Sequence, residues 1–185
     1  MPYLLEAVNL VAEGVSPQVV DEAALAFGMP MGPIALADTV GLDICLSVAE
    51  ILSQRLHVEV PARLRDMVAA GKRGVKTGEG FYRYEKGKAV MTKAGKAEYR
   101  PADIQDRLML RLLNEARACL REGVVADADL LDAGIIFGTG FAPFRGGPLH
   151  AIEALGADAL LEKMRNLHQS QGERFHPDES WLASP

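Results

Sequence analysis

Few residues in this 185-residue chain are typed and spaced for chemistry. His57, His150, His168 and His176 have no cysteine or histidine partners at zinc spacing. His150, between Pro148 and Glu153, reads as a helix-surface or packing residue. Asp38 and Glu153 each sit in a short apolar segment. Such an acid either accepts backbone N–H bonds or acts as a catalytic acid, and its recurrence in two similar settings favours the structural role. Gly78-Glu79-Gly80-Phe81 and Gly138-Thr139-Gly140-Phe141 begin like dinucleotide fingerprints but lack the third glycine. No phosphate-binding Walker loop and no Gly-x-Ser-x-Gly elbow occurs.

The elements that would position these residues are helical. Leu4, Ala7, Val8 and Val11 recur at helical spacing, and Gly14 stops that helix. Ser16-Pro17 is an N-cap followed by proline at the first helical position, and the helix it opens reaches about Phe27, where Gly28 can serve as a left-handed cap. Gly32-Pro33 opens a short helix ending near Gly41, and the next begins at Leu42. Pro61 starts another that Gly71 ends, and Gly80–Tyr84 is the best extended segment. A long helix runs from Pro101 to Gly123, Asp127 caps the next, and helices follow over about 130–136, 148–155 and 157–167. The tail from Gln169 reads as irregular, and Cys45 and Cys119 fall on apolar helix faces, where they are expected to be buried and inert.

The chain repeats itself. Glu6-Ala7 and Glu13-Gly14-Val15 recur as Glu115-Ala116 and Glu122-Gly123-Val124. Ser16 and Asp21 correspond to Asp127 and Asp132; Pro33, Asp38 and Gly41 correspond to Pro148, Glu153 and Gly156. Each copy holds a helix, a capped second helix, a Gly-Pro turn and a short helix carrying an acid. The expected organisation is a first copy over 1–90, a basic linker over 91–100 and a second, degenerate copy over 101–185.

Composition narrows the function classes. The formal net charge of −5 argues against a general nucleic-acid binder. Between Lys72 and Arg100, however, nine basic residues face three acidic ones. That stretch is either a solvated linker or an electropositive edge for an anionic ligand or a partner subunit. No apolar run suits a membrane span, no secretory signal is visible, and two cysteines cannot make a disulfide framework. A reducing, cytoplasmic setting is expected.

The string Phe27-Gly28-Met29-Pro30-Met31-Gly32-Pro33, followed by Leu36, Asp38 and Val40-Gly41-Leu42-Asp43, resembles the C-terminal domain of 3-hydroxyacyl-CoA dehydrogenases. Gly78–Tyr84 resembles the segment that closes that domain. Asn114-Glu115-Ala116, Glu122-Gly123 and the glycine-proline string from Gly138 to Pro148 resemble the degenerate second copy of multifunctional fatty-acid oxidation α-subunits. The resemblance implies an all-α fold of two tandem copies related by a pseudo-two-fold. It implies part of an enzyme that oxidises (S)-3-hydroxyacyl-CoA with NAD. The family's catalytic histidine and glutamate and its NAD fingerprint belong to a Rossmann domain with no counterpart in this sequence. Its catalytic asparagine precedes the Pro-Tyr that appears here as Pro2-Tyr3, and in the second copy the matching pair reads Asp106-Arg107. No catalytic or NAD-binding residue therefore maps onto this chain, which is expected to bind no cofactor and to be inactive alone.

The resemblance leaves substrate binding and assembly. Met29, Pro30, Met31, Gly32 and Pro33 are the candidates for lining the acyl cleft, methionine being a flexible apolar filler; ordinary core packing around a rigid turn is the equal alternative. Single-domain relatives pair through this domain, so the second copy is expected to stand in for a second subunit. An acyl-CoA substrate shared with the Rossmann domain, a fused enoyl-CoA hydratase and a thiolase subunit are the implied partners. The rival readings are a stand-alone helical acyl-CoA-binding or protein-interaction module, or the helical half of another nicotinamide enzyme.

Overall fold

The computed structural model describes residues 1–56, 59–90 and 99–182; His57 and residues 91–98, most of the expected linker, lie outside the described residues. The chain divides into two units, residues 1–26 with 31–105 and residues 27–30 with 106–185.

In the first unit, α1 (Pro2–Ala12) buries Leu5, Ala7, Val8 and Leu10. It closes where Val15 donates to Leu10 and Gly14 to Val11, a turn that holds Gly14 at φ +97°. α2 (Pro17–Phe27) follows the Ser16-Pro17 signal and α3 (Pro33–Val40) the Gly32-Pro33 signal. α4 (Leu42–Leu56) and α5 (Ala62–Ala69) follow. Leu5, Val8, Ala37, Leu42, Ala49, Leu64 and Met67 form the core, with Cys45 buried among them. Burial raises the Cys45 thiol pKa, as expected of an inert cysteine.

The fold is mostly helical, with one departure from the all-α expectation. β1 (Arg83–Glu85) pairs antiparallel with β2 (Lys88–Val90), Tyr84 opposite Ala89. The turn places Lys86 at φ +50° and Gly87 at φ +76°, the pair of left-handed residues that a two-residue hairpin needs. Lys-Gly is a weaker signal for that turn than Asn-Gly, so the sequence shows the extended segment without its partner.

The second unit is built on α6 (Pro101–Arg121), whose first five residues belong to the first unit. It ends as α1 does: Val124 donates to Cys119, Gly123 to Leu120, and Gly123 sits at φ +70°. Asp127 caps α7 (Ala128–Thr139), its carboxylate accepting from Leu130 N at 2.8 Å. α8 (Pro148–Leu155) and α9 (Ala157–Gln171) pack with Leu110, Leu113, Ile152, Leu161 and Met164 in the core. Cys119 is half-buried, less enclosed than its apolar helix face suggested.

The described part of the tail, to Leu182, is built into the fold, against expectation. Beyond α9 two short 3-10 turns, Glu173–Phe175 and Glu179–Trp181, place Phe175 and Trp181 in the core. Asn114 on α6 holds them: its Oδ1 accepts from Asp178 N (2.9 Å) and from Trp181 Nε1 (2.8 Å), and its Nδ2 donates to the His176 carbonyl (3.1 Å). Arg121 pairs with Asp178, and Arg117 lies 4.8 Å over the Trp181 ring. Periodicity missed the tail because two apolar anchors among polar residues make no pattern. Asn114→Ala is expected to cost about 2 kcal/mol, the loss of two part-buried acceptor contacts. Urea unfolding followed by the fluorescence of Trp181, the single tryptophan, measures it. An unchanged midpoint would mean that the arginines alone hold the tail.

Candidate functional site

The chemically loaded part of the first unit is a pair of carboxylates among tyrosines. Asp21, on α2, accepts from Ile34 N at 2.7 Å and Ala35 N at 3.0 Å, the free amides that open α3. Its Oδ2 also accepts from the Tyr82 hydroxyl at 2.8 Å. Asp38, fully buried on α3, accepts from Phe81 N (3.0 Å), Tyr82 N (2.9 Å) and the Tyr84 hydroxyl (2.9 Å). The two acids therefore tie Phe81–Tyr84 to α2 and α3. Burial pushes Asp21 up to about 6 against the pull of its three donors, with the Asp38 charge adding to the rise. Burial raises Asp38 too, and raises Tyr82, Tyr84 and Tyr3.

A carboxyl poised near 6 suits acid–base work, but this one has no opening. A Cβ on Gly32 would stand 2.1 Å from the Asp21 carboxyl carbon, so backbone already fills the approach. Both oxygens of Asp21 and of Asp38 are taken by the donors above. The pair is a brace between elements, which answers the question left open for Asp38 in the sequence.

The second unit uses the first of these braces and lacks the other. Asp132 accepts from Leu149 N (2.7 Å) and His150 N (3.1 Å), the opening amides of α8, as Asp21 does for α3. His150 Nδ1 lies 3.2 Å from Asp132 Oδ2 while the ring stays largely exposed, so it is a surface histidine tethered to the brace. Glu153, the counterpart of Asp38 in sequence, is exposed. Among the described residues no group of three His, Cys, Asp or Glu could hold a metal ion.

The five acyl-lining candidates fall at the boundary between the units in the chain. Met29 and Pro30 belong to the second unit, the former buried and the latter exposed. Met31, Gly32 and Pro33 belong to the first, where Met31 is 43% exposed and Gly32 and Pro33 are buried. A separate open cleft of about 510 Å³ in the first unit, bordered by Val15, Arg63, Met67 and Phe81, includes none of the five.

Neither glycine string forms a pyrophosphate cradle. Gly78 closes a 3-10 turn and leads into β1, so no helix opens behind it. Gly140 caps the end of α7, where a Cβ would meet Pro30 Cγ at 2.8 Å. A dinucleotide needs the glycines between a strand and a helix N-terminus, so these residues do not fit NAD. Asp106, which the sequence resemblance sets against the family's catalytic asparagine, is paired with Lys163 at 2.8 Å.

The geometry is that of a helical module braced by buried acids, and the comparisons give its family. Residues 1–84 match the family of the 3-hydroxyacyl-CoA dehydrogenase C-terminal domain. Residues 1–84 belong to that family. The whole chain is homologous to the C-terminal region of fatty acid oxidation complex α-subunits. It is 36% identical to the Shewanella loihica fatty acid oxidation complex subunit alpha over 95% of this chain, and it spans 26% of that protein. The chain thus covers about a quarter of the length of the curated relatives it matches. In fold it is similar to the 3-hydroxybutyryl-CoA dehydrogenase of Escherichia coli, with a TM-score of 0.78 over 98% of this chain and 57% of that one at 21% identity. It is also similar to the dehydrogenase part of a multifunctional enzyme 1 of C. elegans, at TM-score 0.67 over 98% and 45% and 17% identity. Among the described residues no helix is long and apolar enough to cross a membrane.

Proposed function

We propose that this chain is the helical C-terminal part of an NAD-dependent 3-hydroxyacyl-CoA dehydrogenase within a longer, cytoplasmic fatty-acid oxidation α-subunit. NAD binds elsewhere in that protein. The first copy (1–90) and the second (101–185), joined by the basic linker 91–100, form a pseudo-two-fold pair that serves as the two subunits of single-domain relatives do. Met29, Pro30, Met31, Gly32 and Pro33 line the acyl end of the substrate cleft. A hydratase activity on the same polypeptide and a thiolase subunit as partner belong to the same reading.

The observation that carries this reading is that the likeness to fatty acid oxidation α-subunits runs through both units rather than stopping at residue 84. The glycine strings, unfit for a dinucleotide, support a substrate-side role over a cofactor-side one. The purified chain is expected to give no NADH oxidation with acetoacetyl-CoA as substrate. Turnover above the enzyme-free background would overturn the assignment, because it would require a complete active site within these residues.

A further inference from the structure

Phe27–Pro30 is held by a set of contacts from the Gly140–Arg145 string, and one side chain organises them. Arg145 Nε donates to the Phe27 carbonyl at 2.8 Å, taking an acceptor that the end of α2 leaves free. Its guanidinium lies 4.0 Å over the Phe27 ring and 5.3 Å from the Phe144 ring, so one planar cation is shared by two aromatic faces. Phe141, fully buried, meets Phe27 edge-on at 5.7 Å. Gly28 follows at φ +115°, and a Cβ there would overlap the Phe144 ring at 2.5 Å. Gly140 packs against Pro30. The backbone entering Met29 is thus fixed from both sides.

We propose that Arg145 is a positioning residue for acyl-chain recognition: it sets the course of the chain through Met29 and Pro30. The proposal rests on the reading above that these residues line the acyl cleft. It gives the degenerate copy a specific task, since Arg145, its aromatic partner Phe144 and Phe141, which packs edge-on against Phe27, all lie in the string peculiar to that copy. Arg145 touches no substrate in this arrangement. Its removal should alter discrimination between long and short acyl chains and leave recognition of the CoA portion alone.

The test uses the full 185-residue chain with methyl-labelled methionine, titrated with decanoyl-CoA and with acetyl-CoA. Arg145→Ala is expected to displace the Met29 methyl resonance while leaving Met164, in the core away from the turn, in place. It is also expected to lower the ratio of decanoyl-CoA to acetyl-CoA affinity at least fivefold at unchanged acetyl-CoA affinity. Arg145→Lys keeps a donor and a charge but not the planar stack; it should show smaller changes of the same kind, and it carries the test if the alanine variant does not fold. An unmoved Met29 methyl in both variants, or an unchanged affinity ratio, overturns the proposal. If the unsubstituted chain binds neither acyl-CoA, the acyl-cleft reading falls and its acyl consequence with it. The methyl spectra then still decide separately whether Arg145 sets the turn.

Discussion

Replacing Asp38 with alanine is expected to destabilise the first unit by about 4 kcal/mol. The argument is a count of donors. The Asp38 carboxylate receives two amides, Phe81 N and Tyr82 N, and the Tyr84 hydroxyl, all at 2.9–3.0 Å. A hydrogen bond to a charged group contributes about 1.5–3 kcal/mol net, and a buried donor left unpaired costs about 1–3 kcal/mol. Two terms reduce the sum. Phe81, Tyr82 and Tyr84 are only half-buried, so water can reach part of the vacated site. The carboxylate also pays for its own burial, which is why its pKa is raised. Asp38→Asn keeps one acceptor oxygen and turns an NH2 toward a donor, so its loss should lie between wild type and alanine. All four tyrosines lie in the first unit and the only tryptophan in the second. Urea unfolding followed by the near-ultraviolet tyrosine signal therefore reports on the unit concerned, with Trp181 fluorescence as an internal control. A loss below about 1 kcal/mol for the alanine variant would mean that Phe81–Tyr84 is held by its hairpin and not by the acid.

The same residues show how far the sequence could be read. Capping chemistry and helix-stop glycines are local, so Gly14, Asp127 and the two Gly-Pro turns gave helices at the observed places. The spacings that suggest a repeat rest on these local devices: Gly123 ends α6 with the bonds by which Gly14 ends α1. The partners of the acids were not legible. Asp21 and Asp132 were matched to each other by spacing alone, yet what they do is bond the first amides of the helix that follows, 13 and 17 residues on. Nor could spacing separate Asp38 from Glu153. Asp38 is buried by a segment some 43 residues away, and Glu153 is left exposed in a unit that has no matching tyrosine segment. Arg145 lies inside the glycine-proline string, but nothing in the sequence marks its role, since cation–aromatic stacking across 118 residues leaves no periodic trace.

Asp21 should make the first unit lose stability as the pH rises from about 4 to about 6, opposite to the usual behaviour of a salt-bridged carboxylate. Its folded-state pKa is about 6 against an ordinary value of 3.8, because burial outweighs the three hydrogen bonds that favour the anion. Between those values the folded chain holds a proton that the unfolded chain has released. The folded state binds more protons there, so the free energy of unfolding falls with rising pH. The contribution is complete below about 3.8 and is gone once the pH passes about 6. A shift of about two units corresponds to about 3 kcal/mol across the window. Asp38 titrates with the same sign through its own raised pKa, while Asp43 and Glu79, lowered by their lysine partners, work the other way. The total pH profile therefore mixes groups, and the informative quantity is a difference. Asp21→Asn keeps an acceptor for Ile34 or Ala35 and removes the titration. Its stability relative to the unsubstituted chain should improve by about 2 kcal/mol between pH 4 and pH 7, whatever constant offset the lost bond imposes. Part of the change passes through Asp38, whose carboxyl loses a like-charged neighbour in the variant. Urea midpoints at pH 4, 5, 6 and 7, read from tyrosine, give the curve. Parallel profiles for the two proteins would show that Asp21 is solvated well enough to keep an ordinary carboxylate pKa, and the brace would then be a hydrated one.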